Sequence, residues 1–152
     1  MGTEKPHPKS VEALLGTLRA HGFRVTPQRV AICAVLAGMQ IHPTAYDVYD
    51  AVRRERSDIS LATVYTALKA LTRAGAILDL HTAANNSTHY ELDTRPHVNF
   101  FCTRTGRVDN IAAASVGALK QAIELDGRTV SDMRILVYGT TDDADRQSPH
   151  DS

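Results

Sequence analysis

The 152-residue sequence contains no tryptophan, only two cysteines and no long apolar run. Cys33 and Cys102 alone build no disulfide framework, which excludes the small, disulfide-stapled secreted class. The longest apolar stretch, residues 30–39, falls well short of the roughly 20 residues that span a bilayer. The polar start, MGTEKPHPKS, is not followed by the apolar core of a signal peptide. We therefore expect a cytoplasmic protein with no membrane partner.

The chain also lacks an excess of charge of either sign, because 17 lysines and arginines balance 17 aspartates and glutamates. This balance excludes a uniformly basic protein that coats nucleic acid. The two halves differ, however. Residues 1–80 hold 10 basic and 7 acidic residues, whereas residues 81–152 hold 7 basic and 10 acidic residues. The asymmetry favours a nucleic-acid-binding front half and a regulatory back half.

Four helices are predicted in the first half, each preceded by a serine or threonine that can accept from its free N–H groups. Apolar residues follow at helical spacing behind each of these caps, namely Ser10, Thr26, Thr44 and Ser60. Two strands, residues 76–82 and 88–92, then flank an Ala-Ala-Asn-Asn turn and indicate a hairpin. This order is typical of a winged helix-turn-helix, which we place at residues 10–93 after a flexible tail, residues 1–9.

The second half predicts a small αβ unit, residues 98–139, joined to the first by a hinge at residues 94–97. Its elements are two strands, one helix and a third strand, at 98–103, 107–111, 112–126 and 133–139. Three apolar residues of the helix are expected to face inward: Val116, Leu119 and Ile123. Because a unit of this size buries little by itself, we expect a homodimer. The fold class is α+β, and residues 140–152 are expected to form a disordered acidic tail.

The fourth predicted helix, residues 60–74, takes the place of the helix that enters the major groove of DNA in a helix-turn-helix. Its outward positions offer methyl groups, hydroxyls, a ring and an ammonium to bases and phosphates: Ala62, Thr63, Tyr65, Thr66 and Lys69. Arg24 and Arg29, around the start of the second helix, would reach the DNA backbone or a minor groove. A plainer interpretation makes Tyr65 a core residue, four positions after Leu61, and leaves the arginines solvated.

One polar stretch, STHYELDTRPHVNFFCTRTGRVDN at residues 87–110, concentrates side chains that can bind metals. It holds two histidines, a glutamate, two aspartates, two asparagines and a cysteine. The residue three beyond Cys102 is Thr105, where a zinc clip requires a second thiol. From the residues alone, a metal site, half of one and a polar strand pair all remain open.

Several segments together resemble the ferric uptake regulator (Fur) family, in its order and at its spacing. They are RVTPQR (24–29), IHPTAYDVY (41–49), ISLATVY (59–65), YEL (90–92) and CTRTGRVDN (102–110). The resemblance covers about residues 11–139, most of the chain. The HPTA segment is most similar to the peroxide-sensing (PerR-like) branch of the family.

The resemblance implies an N-terminal winged helix, a C-terminal αβ dimerisation domain and a homodimeric transcriptional repressor. Such a repressor binds A·T-rich palindromic operators in double-stranded DNA when a divalent metal is bound at the hinge. By the family pattern, Tyr65 would contact thymine and Arg24 would reach the minor groove. The metal would be Fe²⁺ or Mn²⁺, one per subunit, although Zn²⁺ and Ni²⁺ suit similar donors.

The metal ligands implied by the resemblance are His42, Glu91 and His97. Asn99 stands where the family has a second histidine, and Asn110 stands where it is often acidic. The additional candidates, including a histidine on the strand face of Glu91 and an aspartate next to Asn110, are His89, Asn99, Asp109 and Asn110. The family's structural zinc needs four cysteines, and here Cys102 has no partner at Thr105 or near residues 140–144. We therefore expect no structural Cys₄ zinc.

Two other functions compete with a metal-controlled repressor. A family member that has lost metal control would bind DNA constitutively or respond to another ligand, and the two asparagines and the missing zinc clip favour this alternative. A small metallohydrolase that uses His97 and Glu91 is the weakest alternative. The sequence has no His-Glu-x-x-His motif, nucleophile elbow or Gly-rich phosphate loop, so we expect no enzyme.

Overall fold

The computed structural model describes residues 9–39, 42–82, 86–111 and 116–141 of the chain. These ranges hold α1 (Val11–Ala20), α2 (Pro27–Gly38), α3 (Ala45–Val52), α4 (Leu61–Arg73), β1 (Leu78–Thr82), β2 (Ser87–Glu91), β3 (Val98–Cys102), β4 (Val108–Ile111), α5 (Val116–Leu125) and β5 (Ile135–Gly139). We call α1–α4 with the β1–β2 hairpin the helical unit, and β3, β4, α5 and β5 the αβ unit. The predicted α+β class, a winged helix followed by a small αβ unit, is confirmed.

Two separate sheets follow the helices. Strands β1 and β2 pair antiparallel, as the predicted hairpin requires. The second sheet has the order β4-β3-β5, in which β3 is antiparallel to β4 and parallel to β5. The parallel pair needs a crossover, and α5 lies within it. None of the described helices is long and apolar enough to cross a membrane.

Each of the first four helices begins where the sequence predicts, because a hydroxyl closes its first turn. The cap side chains accept from the backbone N–H three residues further on in all four: Ser10, Thr26, Thr44 and Ser60. Thr44 and Asp47 form a reciprocal capping box, in which Asp47 Oδ2 accepts from the Thr44 N–H at 2.7 Å. This cap fixes the start of α3 directly after the loop that carries His42.

The four helices and one face of the hairpin enclose a single apolar core. Its most buried members come from every helix: Leu14, Leu18, Ile32, Leu36, Val48, Val52, Val64, Leu68 and Leu71. Their spacing of three or four residues is that of one buried face per helix. Cys33 belongs to this core, and burial raises the pKa of its thiol to about 11. Cys33 is therefore a packing residue rather than a reactive one.

The β1–β2 hairpin packs against both units. Tyr90 and Leu92 join the helical core, whereas Leu80 joins Phe101 and Val108 in a second apolar cluster on the αβ unit. The ring of His89 meets the ring of Phe101 edge-on, with 6.3 Å between their centroids. Because one hairpin contributes to both clusters, the end of β2 lies at the junction of the two units.

Helix α5 differs from the prediction. The predicted residues 112–115 lie outside the described ranges, and the described helix buries none of its side chains within one chain. Leu119 is 45% exposed, and Val116 and Ile123 are only partly buried. The predicted inward face is therefore wrong for a single chain, because periodicity identifies an apolar face but not what covers it. Val137 and Tyr138 of β5 are also exposed, so the αβ unit presents a substantial apolar surface.

Alanine substitutions at two glycines test the boundaries of the helices, because they should change the free energy of unfolding in opposite directions. Gly75 follows α4 with a φ of 71°, whereas Gly16 is exposed within α1, and a Cβ at either position meets nothing within 4 Å. We expect Gly75→Ala to lower the free energy of unfolding by about 1–2 kcal/mol, since alanine is strained in the left-handed region. Gly16→Ala should raise it by up to about 1 kcal/mol. Urea unfolding followed by circular dichroism measures both, and effects of the same sign would contradict the assigned helix end.

Candidate metal centre and nucleic-acid interface

Three side chains from separate elements meet at the junction of the two units. His42 lies in the loop before α3, Glu91 is the last residue of β2, and His97 immediately precedes β3. One ligand atom from each lies within 4.8 Å of the other two, and this is the one such group of histidine, cysteine and acidic side chains in the described part of the chain. The structure thus brings together the three ligands that the resemblance implies.

The carboxylate of Glu91 is the centre of this group and is 2% exposed. Its Oε2 accepts from Nε2 of His42 and from Nε2 of His97, the latter at 3.1 Å, while Oε1 accepts from the backbone N–H of Asp93 at 2.7 Å. Burial by itself would raise the pKa of Glu91. The hydrogen bonds from the two histidines outweigh burial and lower that pKa to about 2.

The two imidazoles are oriented in the same way. Nδ1 of His42 donates to the carbonyl of Val108 at 3.0 Å, and Nδ1 of His97 donates to the carbonyl of Arg95 at 2.7 Å. Because a carbonyl only accepts, each Nδ1 carries the hydrogen and each Nε2 is directed at Glu91. Metal-binding histidines are commonly oriented by such a bond from the other nitrogen, so this donor set fits a divalent cation.

His97 carries a proton in the absence of a cation. Its hydrogen bond to Glu91 is the largest cause of a pKa raised to about 9, and the bond to the Arg95 carbonyl acts in the same direction. Both of its ring nitrogens therefore donate, as in an imidazolium. A cation at the centre would take the place of the proton on Nε2, which makes binding compete with protonation.

The loop that carries His42 is held by β2 through its backbone. The N–H of Tyr90 donates to the Pro43 carbonyl at 2.8 Å, and Nδ1 of His89 donates to the His42 carbonyl at 3.0 Å. The other nitrogen of His89 lies 3.2 Å from the Ser87 hydroxyl. Both nitrogens of His89 are thus engaged outside the three-ligand group. His89 positions His42, a role that the sequence analysis missed because it depends on a contact 47 residues away.

The three remaining candidate metal ligands do not all lie on the same face of the second sheet. Asn99 and Asn110 oppose each other across β3 and β4 and are 4% and 8% exposed. Asn99 Oδ1 lies 3.2 Å from Nε2 of His97. Asp109 alternates to the other face of β4, where it pairs with Arg107 at 3.0 Å. The asparagines therefore lie on the side of the group, and Asp109 does not.

The hinge contains two further contacts that the sequence analysis did not predict. Asp93 binds Arg95 through two parallel bonds of 2.9 and 2.5 Å, and the bond to Arg95 lowers the pKa of Asp93 to about 2. The ammonium of Lys9 donates to the Ala76 carbonyl at 2.6 Å and to the Thr94 hydroxyl at 3.1 Å. Lys9, assigned to a flexible tail from the sequence, thus connects Ala76, between α4 and β1, to Thr94, the first residue of the predicted hinge.

A second candidate surface is an open groove between the start of α2 and α4. It is lined by five of the predicted DNA-contacting residues, Arg24, Arg29, Ala62, Thr63 and Thr66. Tyr65 and Lys69 are exposed further along α4, and at 45% exposure Tyr65 is not a core residue. The alternative interpretation of Tyr65 is therefore wrong.

The groove also includes residues that the sequence analysis overlooked, namely Thr26, Gln28 and Ala67. Gln28 is the second residue of α2, so its outward position follows from the Thr26 cap and was available from the sequence. The guanidinium of Arg29 donates to the Arg24 carbonyl and lies 5.9 Å from the centre of the Phe23 ring. Arg29 therefore braces the loop before α2, while Arg24 remains exposed.

The electrostatics of the centre predict a pH dependence for the metal-free protein. Glu91, with its pKa lowered to about 2, contributes stability above its unfolded pKa of about 4.3 that is lost as the pH falls through 2. His97, with its pKa raised to about 9, contributes stability below about pH 6.5 that is lost as the pH rises through 9. We therefore expect the centre to stabilise the fold most between roughly pH 4.5 and 6.5.

Urea midpoints measured in chelator across this range test the expectation. Glu91→Gln should remove most of the fall in stability between about pH 6.5 and 9, because His97 then lacks the carboxylate that raises its pKa. Glu55→Gln, at an exposed glutamate after α3, is the matched control and should keep the parent's profile. A parent protein equally stable at both ends of that interval would contradict the assigned protonation of His97.

Comparison with known proteins agrees with this geometry. The sequence model of the "Ferric uptake regulator family" matches residues 20–138. The "Peroxide operon regulator" of Bacillus subtilis (strain 168) is 31% identical over 137 residues, which cover 90% of this chain and 94% of that protein. The structure of the ferric uptake regulator from Pseudomonas aeruginosa with manganese gives a TM-score of 0.73 at 29% identity, covering 84% of this chain and 97% of its own.

The Campylobacter jejuni peroxide stress regulator gives a TM-score of 0.68 at 27% identity, covering 84% of this chain and 96% of its own. Family match, sequence relative and solved structures therefore all extend over most of the chain. Regulators of this family bind DNA and form dimers, and they are not enzymes, as the sequence analysis expected. The chain belongs to the ferric uptake regulator family of transcription regulators.

Proposed function

We propose that this chain is a homodimeric, DNA-binding repressor controlled by a divalent metal at the junction of its two units. The observation that carries the proposal is the convergence of His42, Glu91 and His97 on one buried point. Two of these ligands belong to the helical unit, and His97 leads into the αβ unit. A repressor of this kind acts in the cytoplasm, where its DNA is.

The proposed site is best suited to Fe²⁺ or Mn²⁺, with one ion per subunit. Two imidazoles and one carboxylate are a donor set typical of Fe²⁺ sites, and Mn²⁺ accepts the same ligands. Zn²⁺ and Ni²⁺ also bind imidazole, so the test includes them. The Bacillus subtilis relative is named a peroxide operon regulator, and the Pseudomonas aeruginosa structure is described with manganese. These names support a metal-controlled function and a peroxide response as part of it.

The proposed control acts through the hinge at residues 94–97. A cation shared by His42, Glu91 and His97 supplies an attraction that resists separation of the two units. It therefore favours one relative orientation, and it shifts the equilibrium only by its differential affinity for that state. The apolar surface formed by α5 and β5 would pair the two subunits, which would then present two copies of α4 at a fixed spacing.

The DNA contacts are proposed from the groove and the outer face of α4. Ala62, Thr63 and Tyr65 would meet base edges in the major groove of an A·T-rich palindrome, where methyl groups and hydroxyls distinguish thymine and adenine. Thr66, Lys69, Arg24 and Arg29 would contact phosphates or a minor groove. The domains proposed from the sequence, residues 10–93 and 98–139, would perform DNA binding and dimerisation respectively.

A second candidate is a family member whose DNA binding does not depend on metal. One observation favours it: the Glu91 carboxylate accepts hydrogen bonds from both histidines and from the backbone N–H of Asp93. Donors of the protein itself therefore satisfy this carboxylate, which is what a constitutive regulator requires.

Binding to a duplex that carries the protein's own promoter separates the two candidates. After treatment with chelator, we expect Mn²⁺ or anaerobic Fe²⁺ to tighten binding at least tenfold, about 1.4 kcal/mol of coupling, in fluorescence anisotropy at fixed salt. His97→Ala should abolish the metal effect, whereas His81→Ala, a histidine with a 76% exposed side chain on the hairpin, should keep it. Equal affinity with chelator and with every metal, including Zn²⁺ and Ni²⁺, would instead support the constitutive regulator.

Two substitutions on α4 distinguish base contact from phosphate contact. Tyr65→Ala should weaken operator binding by about 1–3 kcal/mol and reduce discrimination against mutated operators. Lys69→Ala should weaken binding to all duplexes alike and reduce the salt slope by about one. Tyr46→Ala removes a tyrosine that is 61% exposed on α3 and is the control. A Tyr65→Ala protein that binds and discriminates like the control would contradict the placement of α4 in the groove.

A further inference from the structure

Two buried amides beside the proposed metal centre require a physical explanation. Asn99 and Asn110 are opposed across β3 and β4, and each is more than nine-tenths buried. Burying an amide is unfavourable unless hydrogen bonds replace the water that it loses. Neighbouring inward positions on these strands, Phe101 and Val108, are apolar and form a cluster. The amides therefore interrupt an apolar face at the point where it meets the three ligands.

The oxygen of Asn99 lies among the ligand atoms. Its distance to Nε2 of His97 is 3.2 Å, and the same nitrogen is 3.1 Å from Oε2 of Glu91. One N–H of His97 thus serves two acceptors. Both oxygens therefore lie within hydrogen-bond distance of one ligand atom of the proposed centre. The Asn99 oxygen is consequently placed like the Glu91 oxygen with respect to His97.

The oxygen of Asn110 has no hydrogen-bond partner. Among the buried side-chain atoms of the described ranges, Asn110 Oδ1 is the one left without a partner. Strand β4 contacts the centre next to it, because the carbonyl of Val108, two residues earlier, accepts from His42. Native proteins rarely leave a buried acceptor unpaired. The Asn110 oxygen therefore requires a partner that the described side chains do not provide.

The other polar side chains near the group already have partners. His89 is engaged with the His42 carbonyl and Ser87, Asp93 with Arg95, and Asp109 with Arg107. Lys9 is bound to Ala76 and Thr94 and, as a cation, offers no lone pair. The two asparagines are therefore the side chains on this side of the junction with oxygen atoms available to a metal.

We propose that Asn99 and Asn110 supply neutral amide oxygens to the divalent cation held by His42, Glu91 and His97. This inference rests on the proposed metal centre and concerns its composition. Two imidazoles, two amides and one carboxylate leave a divalent ion with one uncompensated positive charge. Since affinity for hard cations rises with the number of charged ligands, the amides make the site weaker than one with a second carboxylate. The additional oxygens also favour Mn²⁺ and Fe²⁺ over ions that prefer sulfur.

The test is the Mn²⁺ affinity of the full chain, measured from the electron paramagnetic resonance signal of free Mn²⁺. Asn110→Leu removes the donor at similar volume and should weaken binding about tenfold or more, and Asn99→Leu should do the same. Asn110→Asp adds the missing charge and should tighten binding about tenfold or more. Asp109→Asn changes the neighbouring residue on the opposite face of β4 and should leave the affinity unchanged.

The outcomes separate this inference from the proposed centre. If Asn99→Leu, Asn110→Leu and Asn110→Asp all bind Mn²⁺ like the parent while His97→Ala does not bind, the amides are not ligands and the three-ligand centre stands. If the parent and His97→Ala bind alike, the proposed centre itself is overturned. Circular dichroism reports whether the leucine variants fold. Should either fail, Asn110→Asp still decides, because a carboxylate at a ligand position must tighten binding.

Discussion

The buried carboxylate of Glu91 is the constraint on which the junction of the two units depends. An anion with 2% exposure must receive hydrogen bonds from the protein, and its three donors come from the loop before α3, the residue before β3 and the backbone after β2. Removing any one of them leaves a buried charge undercompensated. The relative position of the helical unit and the αβ unit is thus tied to the hydrogen bonds that Glu91 accepts.

Hydrogen bonds to the surrounding backbone hold the side chains of the centre in position. Hydrogen bonds from Tyr90 and His89 hold the loop of His42 to β2, and the capping box of Thr44 fixes the helix that follows. Backbone carbonyls take the Nδ1 hydrogens of both ligand histidines. Because these supports come from secondary structure, the proposed ligands are preorganised, and a bound cation would change the balance between orientations rather than the local fold.

The proposed centre is connected to the proposed DNA-reading surface through packed side chains. The loop of His42 leads directly into α3, whose Val48 and Val52 are buried in the same core as Val64 and Leu68 of α4. The opposite face of α4 carries Tyr65 and the groove residues. The packed pair of α3 and α4 would therefore connect the proposed centre with the proposed reading surface, and the exposed apolar residues of α5 and β5 would be available to a second subunit.

The sequence by itself determined the local elements, because their causes are local: hydroxyl caps start α1 to α4, and Gly75 follows the last of these helices. It also supplied the residue types of the centre, through resemblance. Only the tertiary structure decided which candidates gather there. Successive side chains of β4 point to opposite faces, so Asn110 lies on the side of the group and Asp109 does not. The hydrogen bond from His89 to the His42 carbonyl, 47 residues away in sequence, makes His89 a support for His42 rather than a ligand. The apolar face of α5 was predictable, but its exposure was not. Burial depends on what packs against a helix, and within a single chain α5 buries none of its side chains.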